Sequence, residues 1–247
     1  MTDLPSGIVT FLFTDIEGST RVWEQYPQAM PAALARHDEI VRGAIVGHGG
    51  VVFRTGGDAF CAAFASAPAG LQAAAAAQRA LHAAQWEITG PLRVRMALHT
   101  DGVELRDGDY LGPPLNRIAR LLVVGHGGQI LLSRATEELV RDQLPPGTGL
   151  RELGEHQLKD LTHPERIFQL VGPDLPDDFP PLKTPDAHPA GQLAPEPPLE
   201  PPNHAWSQAK LPEMPGVDFD AVLERERERE RQRRARKRKP KNLGDMF

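Results

Sequence analysis

The first apolar positions are contiguous: Val9-Thr10-Phe11-Leu12-Phe13-Thr14, followed at once by Asp15-Ile16-Glu17-Gly18-Ser19-Thr20. A run rich in β-branched and aromatic residues that stops at a carboxylate predicts a buried strand. The glycine and hydroxyl residues after it predict a helix start, with Ser19 or Thr20 as N-cap. Spaced apolar residues then predict helix over 21–47, broken or restarted at Pro27 and Pro31. Residues 51–55 read as a strand, and Gly56-Gly57-Asp58 as a tight turn into a second strand over 59–64. The alanine-dominated stretch 68–86 predicts a helix. Residues 92–100 alternate in polarity, and 103–105 resume after a turn, so these read as two antiparallel strands. A helix over 114–124 places Asn116 and Arg120, four apart, on one face. A short strand over 129–132, a helix capped by Ser133 and running to 141, and two strands within 150–170 complete the pattern.

From Pro173 the pattern ends. Proline-rich segments such as Pro195-Glu196-Pro197-Pro198 read as an extended linker over 173–217. A charged tail follows over 218–247, where alternating Glu and Arg place opposite charges three apart and like charges four apart. This tail is expected to be disordered or only marginally helical. The catalytic-sized part is thus 1–172.

Composition changes this picture in two places. With 247 residues and 40% hydrophobic content, the chain can bury one sizeable core. The net charge of −5 conceals a separation, since eleven of 28 Lys and Arg residues lie between Arg225 and Lys241. The basic tail is suited to nucleic acid, an anionic membrane surface or an acidic protein, although it has no interleaved aromatics for stacking. No run of 18 apolar residues predicts a membrane span. The single Cys61 rules out an internal disulfide and a cysteine-rich metal site, so a reducing, cytoplasmic setting fits.

Candidate chemistry begins with Asp15 and Asp58, each at a strand end or hairpin turn. Carboxylates brought together there repel unless a cation neutralises them. Mg²⁺ or Mn²⁺, two per site, shared with a polyphosphate would do so. Taken singly, each feature has a plainer explanation. Asp15 could merely end a strand, Arg54 could be a surface residue, and Asn116 and Arg120 could form a solvated helix face.

Three ordered segments argue otherwise. Phe11 to Thr20, Gly49 to Phe64, and Asp109-Tyr110-Leu111-Gly112-Pro113-Pro114-Leu115-Asn116-Arg117-Ile118-Ala119-Arg120 resemble the class III nucleotide cyclases, within their bacterial adenylate/guanylate branch. The resemblance covers about residues 7–171. It implies an α+β domain of ferredoxin-like, palm-type architecture, with a mostly antiparallel sheet flanked by helices. It also implies that Asp15, Asp58 and the carbonyl of Ile16 bind metal, and that the amides of Glu17, Gly18, Ser19 and Thr20 face phosphates. Asp109 would accept a hydrogen bond from the purine. Asn116 would serve the ribose, Arg120 the transition state, and Lys159 the triphosphate.

The implied activity is conversion of ATP to 3′,5′-cyclic AMP and pyrophosphate in a homodimer, with sites shared between protomers. One position departs from the family pattern: the base-selecting lysine, four residues before the second metal aspartate, is replaced by Arg54. Arginine keeps the charge but is larger, planar and forked. Adenine remains the expected base, because Asp109 is an acceptor. Guanylate cyclase activity and a catalytically weak, nucleotide-sensing or partner-binding module are the alternatives. A diguanylate cyclase is disfavoured because Ala59 stands where those enzymes carry an extra metal-binding glutamate.

Overall fold

A computed structural model describes residues 4–106 and 109–184. The expected linker beyond 184 and the charged tail lie outside the described residues. Seven strands form one sheet in the order β2-β3-β1-β4-β7-β9-β8. They are β1 (Gly7–Ile16), β2 (Val51–Gly56), β3 (Ala59–Phe64), β4 (Val94–Val103), β7 (Ile130–Ser133), β8 (Gly149–His156) and β9 (Glu165–Val171). Only the β4–β7 pairing is parallel. A two-stranded hairpin of β5 (Leu105–Arg106) and β6 (Asp109–Tyr110) stands apart.

The apolar alternation divides the core between the two faces of the sheet. Leu12, Ile16, Phe60, Ala62, Met96 and Leu98 face helices α2 (Met30–Gly47), α3 (Ala67–Ala83) and α5 (Arg134–Val140). Val9, Phe11, Ala63, Ala97 and Leu131 face α4 (Pro113–Val124), which contributes Ile118, Leu121 and Val124. Burying Phe11 and Leu12 completely is worth about 1.5–3 kcal/mol each, so β1 is fixed where its last residues carry Asp15. This is the expected α+β fold.

Several local expectations are corrected. Helix α1 (Ser19–Gln25) has Gly18 as its N-cap, in the left-handed conformation at φ 69°, and no side-chain cap. Ser19 is already inside the first turn, so neither its hydroxyl nor that of Thr20 serves as the cap. Residues 101–103 do not turn away from the preceding strand, because Asp101, Gly102 and Val103 pair with Val9, Ile8 and Gly7. Leu105 pairs instead with Tyr110. Helix α3 ends at Ala83, and Trp86, beyond it, donates its indole N–H to the Leu81 carbonyl at 3.1 Å. Nor does the chain leave the domain at residue 172, since Leu175, Leu182 and Thr184 are buried against it.

Candidate active site

The site is built at the end of β1. Asp15 pairs across the sheet with Arg95 of β4, and their side chains form an ion pair. The next residue, Ile16, is buried, and its amide donates to Oδ2 of Asp58 at 2.8 Å. Asp58 reaches this amide from the β2–β3 turn, where Gly57 adopts φ 59°. Burial and the neighbouring Asp15 charge push the Asp58 carboxyl above its ordinary range, outweighing the Ile16 hydrogen bond. Among the described residues no Lys or Arg pairs with Asp58.

Glu17 is held just beyond. Its carboxylate accepts from Lys183 Nζ at 2.5 Å and from the Gly127 amide at 3.1 Å. Burial opposes ionisation of Glu17, but Lys183, the Gly127 amide and Arg95 together lower its pKa. Ser19 and Thr20 follow at the start of α1.

A second group lies on the α4 face. A bulge in β2 between Val52 and Arg54 brings Arg54 opposite Cys61. Buried Tyr110 packs edge-on to Phe11 and Phe53, with ring centroids 5.0 and 4.9 Å away, and donates its hydroxyl to Pro5 O at 2.6 Å. That anchor sets the position of its neighbour Asp109. One Asp109 oxygen takes the Tyr110 amide at 2.8 Å and the other forms an ion pair with Arg54. Burial pushes the thiol of nearby, half-buried Cys61 up to about 12, which keeps it protonated at neutral pH.

The third group is on α4 and the β8–β9 connection. Asn116 is exposed. Arg120 forms an ion pair at 2.6 Å with Asp160, which has a positive φ of 62°. Lys159, the neighbour of Asp160, is exposed. Among the described residues, no hydrogen bond or ion pair joins Asp15 or Asp58 to Asn116, Arg120 or Lys159. The expected site residues therefore fall into separate clusters within one chain.

Three partners were not foreseen. Arg95 carried a weak signal, a charge between the apolar residues Val94 and Met96 of a central strand. Asp160 and Lys183 carried none, since each lies in an irregular segment remote in sequence from its partner.

The donor set suits a hard divalent cation. Asp15, Asp58 and the Ile16 carbonyl are all oxygen donors, and Asp58 bears a penalty that a cation would relieve. Among the described residues no cluster of three or more His, Cys, Asp or Glu side chains could hold a metal. The remaining positions would fall to backbone, water and phosphate oxygens.

An α+β domain of this topology, with Asp15 at the end of β1 and Asp58 beside it on the β2–β3 turn, is matched by a known family. Residues 2–172 match the model of the adenylate and guanylate cyclase catalytic domain, and the chain belongs to that family. An uncharacterised protein of Mycobacterium tuberculosis is 44% identical over 191 residues, covering 76% of this chain. The chain spans 65% of that relative's length. An adenylate cyclase of Neurospora crassa is 30% identical over 67% of this chain and 10% of its own length. Among solved structures, an adenylate cyclase from Trypanosoma brucei superposes with a TM-score of 0.65 and 27% identity, covering 73% of this chain and 94% of its own. The adenylyl cyclase CyaB from P. aeruginosa gives 0.59 and 25%, covering 69% and 97%. No helix among the described residues is long and apolar enough to cross a membrane.

Proposed function

We propose that the chain is a metal-dependent adenylate cyclase that converts ATP to 3′,5′-cyclic AMP and pyrophosphate at sites shared by two copies. The observation that carries this reading is the junction at Ile16, where its amide fixes Asp58 beside Asp15 at the exit of the central strand. Mg²⁺ or Mn²⁺ ions held by Asp15, Asp58 and the Ile16 carbonyl would acidify the attacking 3′-hydroxyl and neutralise phosphate oxygens. The amides of Gly18, Ser19 and Thr20 lie at the turn into α1 and would receive the phosphates, whereas the expected Glu17 amide is already taken by Arg93 O at 2.8 Å. Arg120 would stabilise charge developing on the α-phosphate, Asn116 would orient the ribose, and Lys159 would hold the triphosphate.

The separation of the clusters supports a composite site. Asp15 and Asp58 would come from one protomer, with Arg54, Asp109, Asn116, Arg120 and Lys159 from its partner. Exposed Leu105 and Leu111 flank the strand that carries Asp109 and give that surface apolar area for a partner copy. A nucleotide-sensing module of weak activity is a second reading, and the Arg54–Asp109 ion pair favours it. Each Asp109 oxygen already has a partner, so an adenine amine would have to share the carboxylate with Arg54 and the Tyr110 amide.

Product formation by the purified chain, with ATP or GTP in Mn²⁺ or Mg²⁺, separates these readings. Cyclic AMP that disappears with Asp15→Ala supports the enzyme. Nucleotide binding without a cyclic product from either nucleotide supports the sensor, and cyclic GMP alone would overturn the assignment to ATP.

A further inference from the structure

Residues 173–184 lie beyond the family match, yet they form a strap fastened to the domain along their length. Leu175 is buried in the core beneath α3, and Leu182 in the core beneath α4. The Asp177 carbonyl accepts from Arg151 at 2.7 Å and from Gln169 at 3.2 Å. His126 stacks on Phe179 and donates a ring N–H to the Pro181 carbonyl at 3.0 Å. The Lys183 amide donates to the Val124 carbonyl at 2.9 Å, and Thr184 is buried beside it. The backbone of Lys183 is thereby fixed at the C-terminal end of α4.

From this anchorage Lys183 reaches 166 positions back in sequence to Glu17. Glu17 is gripped from the other side too. Its amide donates to Arg93 O at 2.8 Å, and its second carboxylate oxygen takes the Gly127 amide. A Cβ at residue 127 would lie 2.9 Å from that oxygen and 2.4 Å from Arg93 Cβ, so the approach requires glycine. The side chains of Lys183 and Glu17 are 40% and 27% exposed, so their pairing contributes little to fold stability. Its consequence is local: it places a cation against the only carboxylate between the paired aspartate Asp15 and the start of α1.

We infer that Lys183 is a positioning residue for the nucleotide triphosphate, neutralising Glu17 and pinning it to the Gly127 side of the turn. This rests on the cyclase reading, in which the turn after β1 receives a polyanion. Without Lys183, the Glu17 carboxylate keeps only the Gly127 amide, and its uncompensated charge would repel the phosphates, a repulsion weakly screened at a partly desolvated site. Through the Lys183–Glu17 contact the strap reaches the turn after β1.

The test uses the full chain, with calorimetric binding of 3′-deoxy-ATP, which lacks the attacking hydroxyl, in Mn²⁺. Lys183→Met is expected to weaken binding about tenfold and to raise KM for ATP by the same factor, with kcat changed less than about twofold. Lys183→Arg should retain affinity. Adding Glu17→Gln to Lys183→Met should recover most of the loss, because no carboxylate is then left uncovered. Unchanged binding by Lys183→Met overturns the inference. So does a loss that Glu17→Gln cannot rescue, which would mean that the strap acts only as packing. If the wild-type chain fails to bind the analogue, the cyclase reading falls as well. Wild-type binding with an indifferent Lys183→Met sinks this inference alone.

Discussion

The carboxylate end of β1 and the polar groups on the α4 side hold their charges in opposite ways. On the α4 side the two arginines of the expected site each have a carboxylate of their own: Arg54 has Asp109 and Arg120 has Asp160. At the end of β1, Asp15 has Arg95, but Asp58 has backbone amides and, among the described residues, no Lys or Arg, and it stands against the charge of Asp15. The first arrangement is electrostatically satisfied, and a ligand would compete with it. The second retains a deficit that a divalent cation would fill. A cyclase assembled from two copies would bring one kind of region against the other, so each ligand would meet one poised surface and one closed surface.

The sharpest way to break this contrast is to remove the deficit. Asp58→Asn should lower cyclic AMP formation by about a thousandfold or more, since it removes a metal ligand and a charge at the reacting phosphate. The same variant should unfold at a higher temperature than wild type when both are metal-free, because a disfavoured negative charge is gone. Added Mn²⁺ should raise the melting temperature of wild type and leave that of the variant nearly unchanged. A metal-free Asp58→Asn that melts lower would show that Asp58 is not under electrostatic strain.

A smaller effect is expected on the closed side. Arg54→Lys replaces a fork with a point charge that releases Asp109 more readily. It should raise kcat/KM for ATP by about three- to tenfold, with little gain for GTP. A fall in kcat/KM would mean that the arginine contributes directly to base recognition.

The smallest effect belongs to neither region and serves as a control. Burial, opposed by nearby Glu165 and Asp101, lowers the pKa of His99 below its ordinary 6.5, and its Nδ1 bonds with Ser133 Oγ at 2.8 Å. The unfolded chain therefore binds a proton before the folded one does as pH falls. The stability due to a neutral His99 is complete above pH 6.5 and is lost as pH falls toward its lowered pKa. The slope is at most about 1.4 kcal/mol per pH unit. Urea unfolding between pH 5 and 7.5 should show this slope in wild type and a flatter one in His99→Gln.

How much of this was legible in sequence follows from the range of each interaction. The core strands, the β2–β3 turn carrying Asp58 and the shared face of Asn116 and Arg120 depend on periodicity and short motifs, and these are local. The helix cap failed because either a hydroxyl residue or the glycine before it could begin α1, and backbone geometry chose Gly18. The continuation of β4 to Val103 depends on pairing with Gly7, Ile8 and Val9, at the far end of another strand. The Arg95–Asp15, Arg120–Asp160 and Lys183–Glu17 pairs join residues 80, 40 and 166 positions apart. Lys183 was least accessible of all, because its proline-rich surroundings resemble a linker until Leu175 and Leu182 are seen to be buried.

The division of the site between two copies is tested most directly by mixing two inactive chains. Asp58→Asn and Arg120→Ala, each alone in Mn²⁺ with ATP, should form little cyclic AMP. Mixed in equal amounts, they should recover up to about a quarter of wild-type activity, since half the dimers would hold one intact site of two. Continued silence from chains shown to exchange subunits, while wild type remains active, would contradict shared sites and place all the catalytic groups within one protomer.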